Sequence, residues 1–195
     1  MKEKRSYTMR ARADGAAQTR SSILEATIAL AGELPLAACT LPAVAERAGV
    51  SVQTVLRIFG SRDGLFSAAE AHGRADVLAE RPADPDDVPG SIDVLLDHYE
   101  RRGDGTLLLL GQETWEPVAM RVTTAGRALH RDWVERTFAR ALEACAPADR
   151  DETVDLLVAA TDLFTWKLWR RDRGLGRTDV RRRMLRLVDA VVERV

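Results

Sequence analysis

At 195 residues the chain can hold one sizeable core or a small module fused to a larger one, and its low aromatic content (5%), with Gly and Pro mostly between apolar-periodic stretches, favours helices over a sandwich or barrel. No apolar run, Leu107–Leu110 included, is long enough to span a bilayer, and the charged N-terminus does not resemble a signal peptide, so a cytoplasmic protein without a membrane partner is expected. The formal net charge of −1 hides an asymmetry: residues 1–62 carry nine Lys/Arg against five Asp/Glu, and the remainder twenty against twenty-five. A basic head on an acidic body suits a head that meets a polyanion, although a solvated arm without a partner would carry the same charge.

Residues 1–18 are basic and aperiodic, and read as a flexible arm. From Thr19, a plausible N-cap, Ile23, Ala26, Thr27, Leu30, Ala31 and Leu34 recur at helical spacing up to a stop near Gly32–Pro35. A short helix follows Thr40, with Pro42 tolerable in its first turn and Val44, Ala45 and Ala48 on its inner face. Gly49 makes a tight turn, Ser51 caps a third helix, Val52 to Phe59, and Gly60-Ser61 repeats the device before a fourth helix to about Arg81. The Pro- and Asp-rich stretch 82–90 is a linker. Beyond it the pattern predicts a helix over 91–102, a break at Gly103-Asp104-Gly105, and a short apolar helix through Trp115. A long helix from Pro117 to about Ala144 follows, then two more over roughly 149–173 and 178–195. The expected fold is all-α with about nine helices, divided into an arm (1–18), a DNA-binding unit (19–65) and a helical body (66–195).

Little points to catalysis. His72, His98 and His130 are scattered, and there is no H-E-x-x-H, G-x-S-x-G, phosphate-binding loop or dinucleotide fingerprint. Cys39 and Cys145 lie far apart in apolar contexts and read as small core residues. No enzyme activity, metal or cofactor is expected.

Three helices joined by short Gly-containing turns, the last two compact, have the layout of a helix-turn-helix, which any compact helical corner could share. The run T-R-S-S-I-L-E-A-T-I-A-L from Thr19 and T-L-P-A-V-A-E-R-A-G-V-S-V-Q-T-V-L-R-I-F-G-S-R-D-G-L-F from Thr40 to Phe66 go further: they resemble the first helix and signature of the TetR (tetracycline-repressor) family. The resemblance implies a homodimeric regulator of transcription, most simply a ligand-responsive repressor on a palindromic operator in double-stranded DNA. On it, Ser51 caps the recognition helix near a phosphate, and Val52, Gln53 and Val55 occupy its first turn. Gln53 is the best base reader, since its amide can pair with adenine. Thr54 and Arg57 face phosphates, and Thr19, Arg20, Thr40 and Arg62 border the groove as phosphate clamps. Leu56 stands where the family usually has a phosphate-binding Tyr, and Ile58 where it often has His or an aromatic. The rival readings are a helical interaction module and a degenerate member with weak DNA binding.

The body is expected to hold an effector pocket and a dimer seam. Val180, Met184, Leu187, Val188, Val191 and Val192 form one apolar stripe, and Val154, Leu157, Val158, Thr161, Phe164 and Leu168 another. Of these, Val158, Thr161, Met184, Leu187, Val188 and Val191 are the candidate interface residues. Trp115, Met120, His130, Trp133 and Phe164 are candidate pocket residues for an unknown small molecule, each equally readable as ordinary core. Glu113, beside Trp115, could meet a cation.

Overall fold

The computed structural model describes the backbone of residues 2–194 and the side chains of residues 14–194. Among them there is no strand. Helix α1 runs Lys2–Glu33, so Thr19 lies inside it, its hydroxyl donating to the Gly15 carbonyl at 2.9 Å, instead of capping its start. The side chains of residues 1–13, on which most of the expected basic arm rests, lie outside the described residues.

A 3₁₀ turn, Leu36–Ala38, leads to α2 (Leu41–Arg47), α3 (Val52–Phe59) and α4 (Arg62–Glu80). Each start is capped by a hydroxyl accepting a backbone N–H: Thr40 from Ala43, Ser51 from Thr54 and Ser61 from Gly64. Between them Gly49 (φ 67°) and Gly60 (φ 77°) take the left-handed conformation that other residues resist. The body follows as α5 (Val88–Leu110), α6 (Pro117–Thr137), α7 (Ala139–Ala144), α8 (Arg150–Thr161), α9 (Leu163–Lys167) with a π turn at Leu168–Asp172, and α10 (Arg177–Val192).

Three expectations need correction. Gly103 and Gly105 do not break α5; they are glycine because two neighbours press on it. A Cβ on Gly103 would lie 2.7 Å from the Trp166 ring, and one on Gly105 2.8 Å from the Gly32 Cα of α1. The predicted helix ending near Ala144 is interrupted at Phe138. The predicted helix over 149–173 is interrupted at Asp162, whose extended backbone (ψ 153°) and carboxylate, accepting from the Phe164 N–H at 2.7 Å, start α9 afresh.

Two apolar clusters result. One joins Ile23, Leu30, Val44, Val55, Leu65 and Phe66 of the first four helices and admits Val118 and Ala119 from α6. The other joins Ile92, Leu95, Trp133, Leu157, Trp166 and Met184 of the body. Helix α4 starts in the first cluster, its last residue Glu80 is held by His98 and Arg102 of α5, and α1 packs on both α4 and α5.

Candidate nucleic-acid interface

The corner is built around Val55, which is fully buried and fixes the rotation of α3. With Val55 inward and Val52, Ile58 and Phe59 packed beside it, the opposite face is left to Gln53 and Arg57. Both are exposed, and Arg57 makes no salt bridge among the described residues. The hydroxyl of Thr54 lies 2.9 Å from that of Ser51, so these two form one capping unit at the exposed start of α3. The unsatisfied N–H groups and positive dipole end of that turn suit an anion.

Arg57 does not act alone. With Ile58 it lines a cleft of about 330 Å³ against Ala16, Ala17, Thr19 and Arg20 of α1. The Arg20 guanidinium stacks 4.7 Å from the Phe59 ring centroid, which holds a cation beside α3 without a carboxylate to neutralise it. Two arginines thus line one cleft, while Thr40 and Ser51 are exposed at the starts of α2 and α3. Leu56, half-buried, offers this surface no hydrogen bond. Phe59 as the platform for Arg20 was not anticipated, because the two residues are far apart in the chain and belong to different helices.

Arg62 makes internal contacts. Its guanidinium donates to the Leu36 carbonyl at 2.7 Å and the Cys39 carbonyl at 3.4 Å, and stacks 4.5 Å from the Phe66 ring centroid. It ties the 3₁₀ turn to α4 through two of its five N–H donors.

In the body, Trp115 is 70% exposed, and Met120 and Phe164 are exposed as well; none of the three lines an interior space. Glu113 is taken up by the Thr123 hydroxyl and Arg127, both at 2.7 Å, so it is not a free anion. His130 and Trp133 do lie inside, their rings stacked with centroids 5.8 Å apart. Among the residues expected at a dimer seam, Thr161, Met184 and Val188 are buried in the chain's own core and have no surface to give to a second copy. Val158 and Val191 are half-buried, while Leu187 is exposed, together with Leu156, Phe164 and Leu168. Of the predicted stripes, Leu187, Phe164 and Leu168 thus remain exposed, while Thr161, Met184 and Val188 turn into the core. Among the described residues no cluster of His, Cys, Asp or Glu could hold a metal, and no helix is long and apolar enough to cross a membrane.

Residues 23–69 match the family model described as "Bacterial regulatory proteins, tetR family". The chain is 26% identical over 146 residues to the HTH-type transcriptional repressor SCO4008 of Streptomyces coelicolor, covering 75% of this chain and 72% of that one. Its fold is similar to two solved structures. One is a TetR-family transcriptional regulator from Rhodococcus sp., with TM-score 0.68, 19% identity, and coverage of 90% of this chain and 99% of that one. The other is a transcriptional regulator from Rhodococcus sp. Rha1, with TM-score 0.67, 17% identity, and coverage of 89% and 96%. Residues 23–69, which hold the helix-turn-helix corner, match the tetR family of bacterial regulatory proteins, and the all-α body behind them shares the fold of these solved regulators.

Proposed function

We propose that the protein is a ligand-responsive repressor that binds a palindromic operator as a homodimer, with residues 19–65 reading DNA and residues 66–195 supplying the effector site and the dimer seam. The observation that carries the DNA reading is the rotation of α3 set by Val55, which leaves Gln53 and Arg57 outward beside Arg20. Gln53 is positioned as the base reader. Arg57, Arg20, Thr19, Thr40 and the Ser51–Thr54 cap hold phosphates on either side. Two copies joined through Leu156, Phe164, Leu168 and Leu187 would present two recognition helices to half-sites ~34–36 Å apart, one DNA turn. An effector that prefers the conformation with wrongly spaced recognition helices releases the operator, and only that difference in affinity can do so. Helix α4, running from Ser61 in the corner to Arg81 in the body, is the lever.

Selection of bound genomic fragments by the purified protein near physiological salt tests this. Enrichment of a single palindrome is the expected result. Binding without a shared motif would instead favour an interaction module whose basic surface meets polyanions nonspecifically.

A further inference from the structure

The centre of the body contains four buried polar atoms without partners: Arg81 Nε, His130 Nδ1, Trp133 Nε1 and Thr137 Oγ1. His130, Trp133 and Thr137 lie at i, i+3 and i+7 on α6 and so share one face of it. Arg81, the residue that ends α4, reaches over that face, its guanidinium 5.7 Å from the Trp133 ring centroid. Arg81 is only 7% exposed, and no carboxylate lies within salt-bridge distance of it among the described residues. The neighbouring acid, Glu80, is already held by Arg102 and His98. The nearby Arg136 adds repulsion, and burial pushes the Arg81 pKa down. A guanidinium with its Nε buried without a partner and no carboxylate beside it is a costly arrangement in a core. Thr161 gives its proton to the Leu157 carbonyl at 2.8 Å, so the ring proton of His130 sits on Nε2, 3.2 Å from the Thr161 hydroxyl. Nδ1 is therefore an acceptor awaiting a donor.

We propose that this cluster is the effector site and that its ligand is a small hydroxycarboxylate: the carboxylate is received by Arg81 and the Trp133 N–H, and the hydroxyl is donated to His130 Nδ1. The proposal rests on the ligand-responsive reading above and names the chemistry of its effector. Pairing with Arg81 places the ligand at the end of α4, the helix whose other end begins the DNA-binding corner at Ser61 and Arg62.

The test is calorimetric titration of the full-length protein with lactate, benzoate and 2-hydroxybenzoate, and with 2-hydroxybenzamide as the uncharged counterpart. At least one hydroxycarboxylate should bind, and the Arg81→Met protein should bind it roughly 10–100-fold more weakly. Arg81→Met should also melt at a higher temperature than the parent, since it removes an uncompensated buried charge, and this separates a ligand-binding arginine from a structural one. Binding of the amide as tightly as the acid, no binding by any of the carboxylates, or a lower melting temperature for Arg81→Met would each overturn the proposal; in the second case internal water satisfies the four atoms. Operator release distinguishes the two layers. A carboxylate that binds through Arg81 without releasing DNA upholds the site and refutes the ligand-responsive reading. Release by an uncharged compound that is unaffected in Arg81→Met does the reverse.

Discussion

Arg57 and Arg62 lie five residues apart, and the chain alone gives them the same look, each an arginine in the basic helix-turn-helix stretch. The folded protein separates them by what their guanidinium groups meet. Arg57 faces an open cleft, whereas Arg62 is bonded to two backbone carbonyls and stacked on Phe66. Arg57→Ala should therefore leave the melting temperature unchanged, weaken duplex binding and lower the slope of its salt dependence by about 1. Arg62→Ala should do the opposite, costing about 1–3 kcal/mol of stability from the unsatisfied carbonyls and lost packing, with the salt slope retained. Thermal melts and binding titrations at several salt concentrations read both, and equal effects on the two would mean that the partition is wrong.

Titration supplies a second residue-scale expectation. Burial chiefly holds the pKa of His98 down at about 4 and that of His130 at about 3, while the Arg102 hydrogen bond chiefly holds Glu80 at about 2. In the unfolded chain the histidines take up protons near 6.5 and Glu80 near 4.5, so the unfolded state binds more protons across the interval between each pair of values. The stabilisation is complete above pH 6.5. It declines as the pH falls, first with the histidines and then, below 4.5, with Glu80. Urea midpoints at pH 7.5, 5.5 and 4 should fall in that order, and a midpoint unmoved between pH 7.5 and 5.5 would show that the histidines are not held neutral.

At the scale of elements, helices α2, α3 and α4 were legible because their boundaries are made locally, by Thr40, Ser51 and Ser61 as caps and by Gly49 and Gly60 as turns. The body was less legible, and Gly103 shows why. A glycine required by close approach and a glycine required by a turn are the same letter, and only the position of Trp166, far along the chain, distinguishes them. Asp162 misled in the other direction, since a helical apolar pattern continues across a residue whose carboxylate ends one helix and begins another. Gly103→Ala tests this assignment. In an open helix it would gain roughly 0.5–1 kcal/mol of propensity. Here the added methyl meets the Trp166 ring at 2.7 Å, and the overpacking, about 1–3 kcal/mol, should prevail and lower the melting temperature. A rise would mean that the ring yields easily and that the contact is not what keeps the position glycine.

The same limit sets what could be read about the whole molecule. A periodic stripe on α10 marks a buried face but not whose surface buries it, and the chain's own core and a second copy leave similar patterns in sequence. Met184 and Val188 belong to the core, with α5 and α8 packed against α10, while Leu187 points away at 42% exposed, near the open side of α8 and α9. Large apolar side chains left exposed on α8, α9 and α10 are candidates for an association surface. Substitutions one helical step apart should therefore fail in different ways. Leu187→Glu, placing charge on the outer face, should yield a folded monomer with an unchanged far-ultraviolet spectrum and weak operator binding, because one recognition helix alone cannot span two half-sites. Met184→Glu, placing an unpaired charge in the core, should unfold the body before any question of assembly arises. Sedimentation with circular dichroism on both proteins separates the outcomes. A dimer that survives Leu187→Glu would move the seam off this face, and with it the geometry by which two copies straddle one turn of DNA.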